Sequence, residues 1–283
     1  MKKLMMAITA ALMLTSCEYV QVEDLAELEE NTNQKTVTFR LFTNQWTRGA
    51  LTADGNDMTN LWLFDYVGDE LVQSVACTPD DTDWGAPSLT LKLGTHNIYF
   101  VSSRGDQPTV NTDEMKIVWG TPKDTFWASL TLNVTSGGST TQHVTLSRVS
   151  TKMKLQVNDL VPDNIATLNV TPNTWYFGLN YITGSATDTK TQQRTVNVPT
   201  SYIGTTGQLA ASFFGMSDAT EWTTDIAINA KDGEGNDIGS ATISDAPFQR
   251  NRVSIFSGNL FNGEGAMDVM LDESWADDYT TTW

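Results

Sequence analysis

The chain has 283 residues, 40% hydrophobic and 10% aromatic against 18% charged, which is enough apolar material for one large or two ordinary domains and excludes a disordered polymer. Its formal net charge is −17, from 34 acidic and 17 basic residues. That balance argues against nucleic acid or an anionic membrane surface as the main partner, because phosphate recognition needs clustered Lys and Arg.

Lys2 and Lys3 precede an apolar run from Leu4 that closes on Leu14-Thr15-Ser16-Cys17. The run is shorter than the roughly 20 residues that span a bilayer, and its charge order is that of a secretory signal. Its end, an aliphatic residue, two small ones and a cysteine, resembles a bacterial lipobox. Residues 1–17 are therefore expected to form a lipoprotein signal, with Cys17 acylated; the competing reading is ordinary cleavage nearby with Cys17 a bystander. Each buried acyl methylene contributes ~0.8 kcal/mol, so two or three palmitate-like chains would anchor the protein firmly. Loss of Lys2 and Lys3 takes the charge from −17 to −19. Residues 18–34 carry six acids and no base, and read as a solvated acidic tether.

From Lys35 the pattern changes. Val37, Phe39 and Leu41 alternate with Thr36, Thr38 and Arg40, the period-two signature of a half-buried strand. Thr47-Arg48-Gly49 follows in a polar, exposed connection. Leu61-Trp62-Leu63-Phe64-Asp65-Tyr66 is apolar at nearly every residue, which predicts an inner strand covered on both faces. Gly68-Asp69 then reads as a hairpin turn into a strand from Leu71 to Cys77. TPDDTDWGAP, residues 78–87, is a polar loop carrying Trp84. Leu89, Leu91 and Leu93 alternate, Gly94-Thr95 turns, and Ile98 to Val101 returns. Further strands are expected at Met115–Trp119, Phe126–Thr135 and Gln142–Val149.

The second half repeats this style. Strands are expected at Met153–Val157, Ile165–Val170, Trp175–Ile182, Thr195–Val198 and Leu209–Met216, then Asp225–Ala230 and Ile238–Ile243 around a KDGEGND turn. Arg252–Phe256 and an alternation over Met267, Val269 and Leu271 complete the set. Many short strands punctuated by Gly, Pro, Asn and Asp predict an all-β sandwich architecture. A domain boundary is placed near Ser147 to Ser150, dividing residues 35–147 from 148–283.

Signatures of catalysis are sparse. His96 and His143 are the two histidines, each at a predicted strand edge, and no nucleophile elbow accompanies them. Cys77 is expected to be a buried free thiol. Zinc spacing and phosphate-cradling glycine patterns are absent, and the acids of residues 232–237 read as a turn rather than a calcium loop. No enzyme activity, cofactor or metal is expected. Trp62, Trp119, Trp127 and Trp175 fall in apolar strands and are expected in the core. Trp46, Trp84 and Trp222 lie in polar contexts, and Trp84 is the candidate ligand contact, since an exposed indole can stack on a sugar face.

Several of these segments resemble the Bacteroidetes fimbrillin superfamily, the subunits of type V pili. The alternating strand followed by Thr47-Arg48-Gly49 and the LWLFDY strand resembles the family's opening. Leu91-Lys92-Leu93-Gly94 with Ile98-Tyr99-Phe100-Val101 resembles a strand pair of its first domain. Leu146-Ser147-Arg148-Val149, Lys152 to Val157 and Pro162 to Ile165 resemble the start of its second, and Arg250-Asn251-Arg252 with Ser257 to Phe261 resembles a late strand.

The resemblance implies two tandem transthyretin-like β-sandwich domains. It implies that a protease cuts at Arg48-Gly49, removing the first strand and leaving a groove that a neighbouring subunit fills. Membrane-bound branches keep that strand, and Arg48 alone does not assign the branch. The expected function is a structural subunit of a surface fimbria, exported as a lipoprotein to the outer membrane and assembled by donor-strand exchange for cell adhesion. The alternatives are a lipid-anchored pilus anchor or a monomeric glycan-binding surface lipoprotein. Implied partners are other fimbrial subunits, the outer membrane through the lipid, and host glycans or proteins, with no nucleic acid.

Overall fold

The computed structural model describes residues 33–43, 58–262 and 267–272. Cys17, Trp46, Arg48 and Gly49 lie outside the described residues. The strands of the first half are β1 (Gln34–Thr43), β2 (Asn60–Val67), β3 (Glu70–Cys77), β4 (Ser88–Lys92), β5 (Gly94–Ser103), β6 (Thr109–Asn111), β7 (Lys116–Val118), β8 (Thr125–Val134) and β9 (Thr141–Arg148). The second half supplies β10 (Ser150–Val157), β11 (Ile165–Pro172), β12 (Trp175–Asn180), β13 (Ser185–Lys190), β14 (Arg194–Asn197), β15 (Ala210–Met216), β16 (Trp222–Asp232), β17 (Asp237–Phe248), β18 (Val253–Gly258) and β19 (Met267–Asp272). The protein is all-β, as the alternation predicts.

β9-β1-β4 and β3-β2-β5-β8 form two layers, joined where β8 meets β9 at Phe126↔Arg148 and Trp127↔Ser147. Between them Val37, Phe39, Leu41, Leu63, Leu91 and Phe100 form a core at 1% exposure or less. A second pair of sheets, β15-β10-β18-β19 and β14-β11-β16-β17, encloses a core that includes Leu155, Val170, Ile228, Phe248 and Phe256.

A further sheet, β13-β12-β7-β6, takes β6 and β7 from the first half of the chain and β12 and β13 from the second. It accompanies a third core in which Trp62, Phe64 and Tyr66 meet Trp119, Leu179 and Tyr181. The rings of Phe64 and Tyr181 stack 3.8 Å apart, and the Tyr66 and Tyr181 hydroxyls hydrogen-bond at 2.9 Å. β2 is buried on both faces, as its apolar run predicts, because Leu61 and Leu63 enter the first core while Trp62, Phe64 and Tyr66 enter the third.

Turn chemistry follows the residues. Gly68, at φ +60°, closes the β2–β3 hairpin. In the β16–β17 hairpin the Asp232 carboxylate accepts hydrogen bonds from the backbone N–H groups of Glu234 and Asn236, so these residues form the expected turn. Gly94 does something different from the predicted turn. β4 pairs with β1, whereas β5 pairs with β2 and β8, so Leu93-Gly94 carries the chain from one layer to the other rather than reversing it within a hairpin.

Candidate functional site

The site is built around β1. It runs parallel to β9 from Thr38↔Thr141 to Thr43↔Leu146 and antiparallel to β4 from Gln34↔Lys92 to Thr38↔Ser88. Where β4 ends, the preceding loop continues the ladder: the Phe39 N–H donates to Pro87 O at 2.8 Å and the Leu41 N–H to Gly85 O at 3.0 Å. Val37, Phe39 and Leu41 point inward, and Phe39 tilts against Phe100 at 5.4 Å between ring centroids. At the other end the Lys35 ammonium donates to the carbonyls of Thr135 and Ser136, each at 3.3 Å, and to that of Gly138 in the β8–β9 turn. β1 therefore fills an apolar groove whose two walls are backbone edges that pair with it.

The loop of residues 78–87 is less exposed than its composition suggests. Trp84 is half-buried and packs against the first core, with its indole Nε1 enclosed and without a hydrogen-bond partner. The expectation of an exposed indole is corrected here, since the ring packs against the first core while the backbone of its loop docks on β1. Trp222 is likewise drawn into the second core, edge-on to Trp175 at 5.9 Å. Cys77 is free and buried at the end of β3, and burial followed by the nearby charges of Asp83 and Asp81 pushes its thiol from 9.0 up to about 11.

His143 is exposed and stacks on Phe42 at 5.6 Å. His96 behaves differently. It is buried in β5, its Nδ1 lies 2.7 Å from Asp65 Oδ1, and its Nε2 lies 2.9 Å from Lys92 O. The Gln73 amide donates to Asp65 Oδ2 at 2.9 Å and to Thr90 O at 3.2 Å. Sequence reasoning missed this pair. The available signal was Asp65 itself, because an acid in a strand covered on both faces requires a partner.

Arg148 and Asp124 form another buried pair, with Arg148 Nε 2.7 Å from Asp124 Oδ1 and its Nη2 3.0 Å from Oδ2, while Nη1 reaches Asn251 Oδ1 at 3.1 Å. Among the described residues no group of three or more His, Cys, Asp or Glu side chains is placed to hold a metal.

Two-layer sheets built in this way define an all-β sandwich protein, a fold also found in solved structures of Bacteroides candidate adhesins. The chain resembles a candidate adhesin from Bacteroides ovatus with a TM-score of 0.54 at 10% identity, over 77% of this chain and 85% of that one. It resembles a candidate adhesin from Bacteroides thetaiotaomicron with a TM-score of 0.53 at 11% identity, over 85% and 96%. A candidate polysaccharide-binding protein from the same organism matches with a TM-score of 0.52 at 8% identity, over 83% and 98%. Residues 106–283 match DUF6562, a family of unknown function, and the chain belongs to that family. No curated protein sequence matches it.

Proposed function

We propose that this protein is a structural subunit of a cell-surface fimbria serving adhesion, exported as a lipoprotein acylated at Cys17 and assembled by donor-strand exchange. The observation that carries the reading is β1, a strand with Val37, Phe39 and Leu41 in the core and both backbone edges paired. Burying three such side chains contributes about 1.5–3 kcal/mol each. Together that is roughly 5–9 kcal/mol, comparable with the about 5–15 kcal/mol that stabilises a whole domain. Loss of β1 would leave a groove between β4 and β9 with unpaired donors and acceptors, a template for a strand of similar pattern from another subunit.

The bond that frees β1 is Arg48-Gly49, between β1 and β2. Cutting there removes six acids and three bases from residues 18–48, so the charge moves from −19 to −16. The product also leaves its lipid behind and stays soluble. The reading divides the chain into domains at 35–147 and 148–283, a division supported by the buried residues of the first core, all before this point, and of the second, all after it. The similar fold of Bacteroides candidate adhesins supports the adhesive role.

Limited trypsin digestion tests the proposal. Arg48 is expected to be nicked before the other basic sites, and the nicked protein is expected to lose residues 18–48 and form ladders on a gel. Mass spectrometry of the N-terminal peptide is expected to show acylated Cys17. Nicked protein that stays monomeric, or Arg48→Ala cells that still assemble the subunit into pili, would replace the strand-exchanged structural role with a lipid-anchored one.

A further inference from the structure

The first sandwich has an open side. β3 and β4 are the outermost strands of its two layers, and between them lies a cavity of about 360 Å³. We propose that this cavity binds one neutral saccharide unit. The inference stands apart from the fimbrial reading, which concerns β1 and its groove.

The cavity is a built site. Asp65 and His96 line it with side chains 0% and 3% exposed, fixed by their mutual contact and by Gln73 and Lys92 O. Exposed Val67 and Val72 line it nearer the surface. Val72 owes its position to an irregularity in the ladder: Asp65 faces Gln73 but Tyr66 faces Leu71, so Val72 is the extra residue of a β-bulge. Bulges recur beside binding sites because they re-aim side chains. Here the bulge directs Gln73 inward and Val72 outward.

The lining selects the ligand. Both ring nitrogens of His96 face oxygen atoms, Asp65 Oδ1 and Lys92 O, so the polar groups of the ring are already engaged within the wall of the cavity. Two carboxylates, Asp65 and Glu70, stand against the one ammonium of Lys92, which leaves the lysine no excess of positive charge with which to attract an anionic sugar. The Gln34 amide and the Thr90 hydroxyl can donate and accept, and the Gln73 carbonyl oxygen can accept while its N–H groups are held by Asp65 and Thr90 O, a combination that suits sugar hydroxyls. Val67 and Val72 add an apolar surface for the C–H face of a sugar ring. The volume sits at the small end of ligand pockets, roughly 300–1,000 Å³, and suits a monosaccharide or disaccharide. A peptide strand running between the layers is disfavoured, because the hydrogen bond from Gln73 to Thr90 O ties β3 to β4 across the opening.

Methyl-labelled full chain titrated with maltose, cellobiose, lactose and mannobiose tests the proposal by NMR. At least one of these disaccharides is expected to shift the Val67 and Val72 methyl resonances. Val72→Trp, which fills the mouth at an exposed position, and Gln34→Ala are each expected to weaken that binding by about tenfold or more with unchanged melting temperature. Trp84→Phe is expected to leave it intact. The proposal is overturned if none of the four sugars moves these methyls, if binding survives both cavity variants, if it depends on Trp84 instead, or if sialyllactose binds as tightly as the neutral sugars.

Discussion

Asp65 shows how one side chain constrains the rest. It sits in an apolar strand at 0% exposure, and its carboxylate is tolerable there because His96 and Gln73 occupy its oxygens. Removing one member of a buried pair costs about 3–5 kcal/mol, whereas replacing both with apolar groups costs much less. Asp65→Leu and His96→Leu are each expected to destabilise the protein by that amount, and the double variant by less than the sum, measured by urea unfolding. Cys77 gives a second outcome at this scale. Its raised value of about 11 means a thiolate fraction at pH 8 about 100-fold smaller than for an ordinary thiol, so alkylation of the native protein is expected to be slow. The folded state prefers the neutral thiol. Its contribution to stability is therefore complete below pH 9 and lost between pH 9 and about 11, which Cys77→Ala should abolish in a pH series of melting curves.

Among the elements, β1 is held at three places: its apolar face, its two ladders and the Lys35 ammonium over the β8–β9 turn. The ammonium contributes at the end of β1 farthest from the connection to β2. Lys35→Met removes those hydrogen bonds, a loss of about 1 kcal/mol, without touching the core. Backbone amides of β1 are expected to exchange with deuterium about fivefold faster in this variant, with β5 and β8 unchanged. Equal acceleration in all three strands would mean that β1 opens only with the whole sandwich. That result would argue against a strand that can be exchanged by itself.

For the whole molecule, the third core matters most. Phe64 and Tyr66 come from β2, Tyr181 follows β12, and β7 pairs with β12, so the two halves of the chain share both a sheet and a buried aromatic cluster. Arg148, bonded to Asp124 on one side and Asn251 on the other, adds a polar tie. The intact protein is expected to melt in one calorimetric transition. Phe64→Ala, a truncation that typically costs about 3–5 kcal/mol, is expected to split it into two. Two transitions in the unmodified protein would show that the shared core does not couple the halves.

Much of this was legible along the chain. Alternation marked β1, unbroken apolarity marked β2 as doubly covered, and Gly68-Asp69 and residues 232–237 carried their own turn chemistry, because each of these properties depends on neighbours in sequence. β6 and β13 were not legible. Ser185-Ala186-Thr187-Asp188-Thr189-Lys190 has no apolar alternation and becomes a strand only because β12 offers an edge for it. Trp84 reads as exposed because its sequence neighbours are polar, yet it packs against a core assembled from strands as distant in the chain as β1 and β9. Asp65 announced the need for a partner without naming His96. Periodicity says which way a side chain points. What it meets there depends on which strands the topology brings alongside, and that is decided by contacts between segments far apart in the chain.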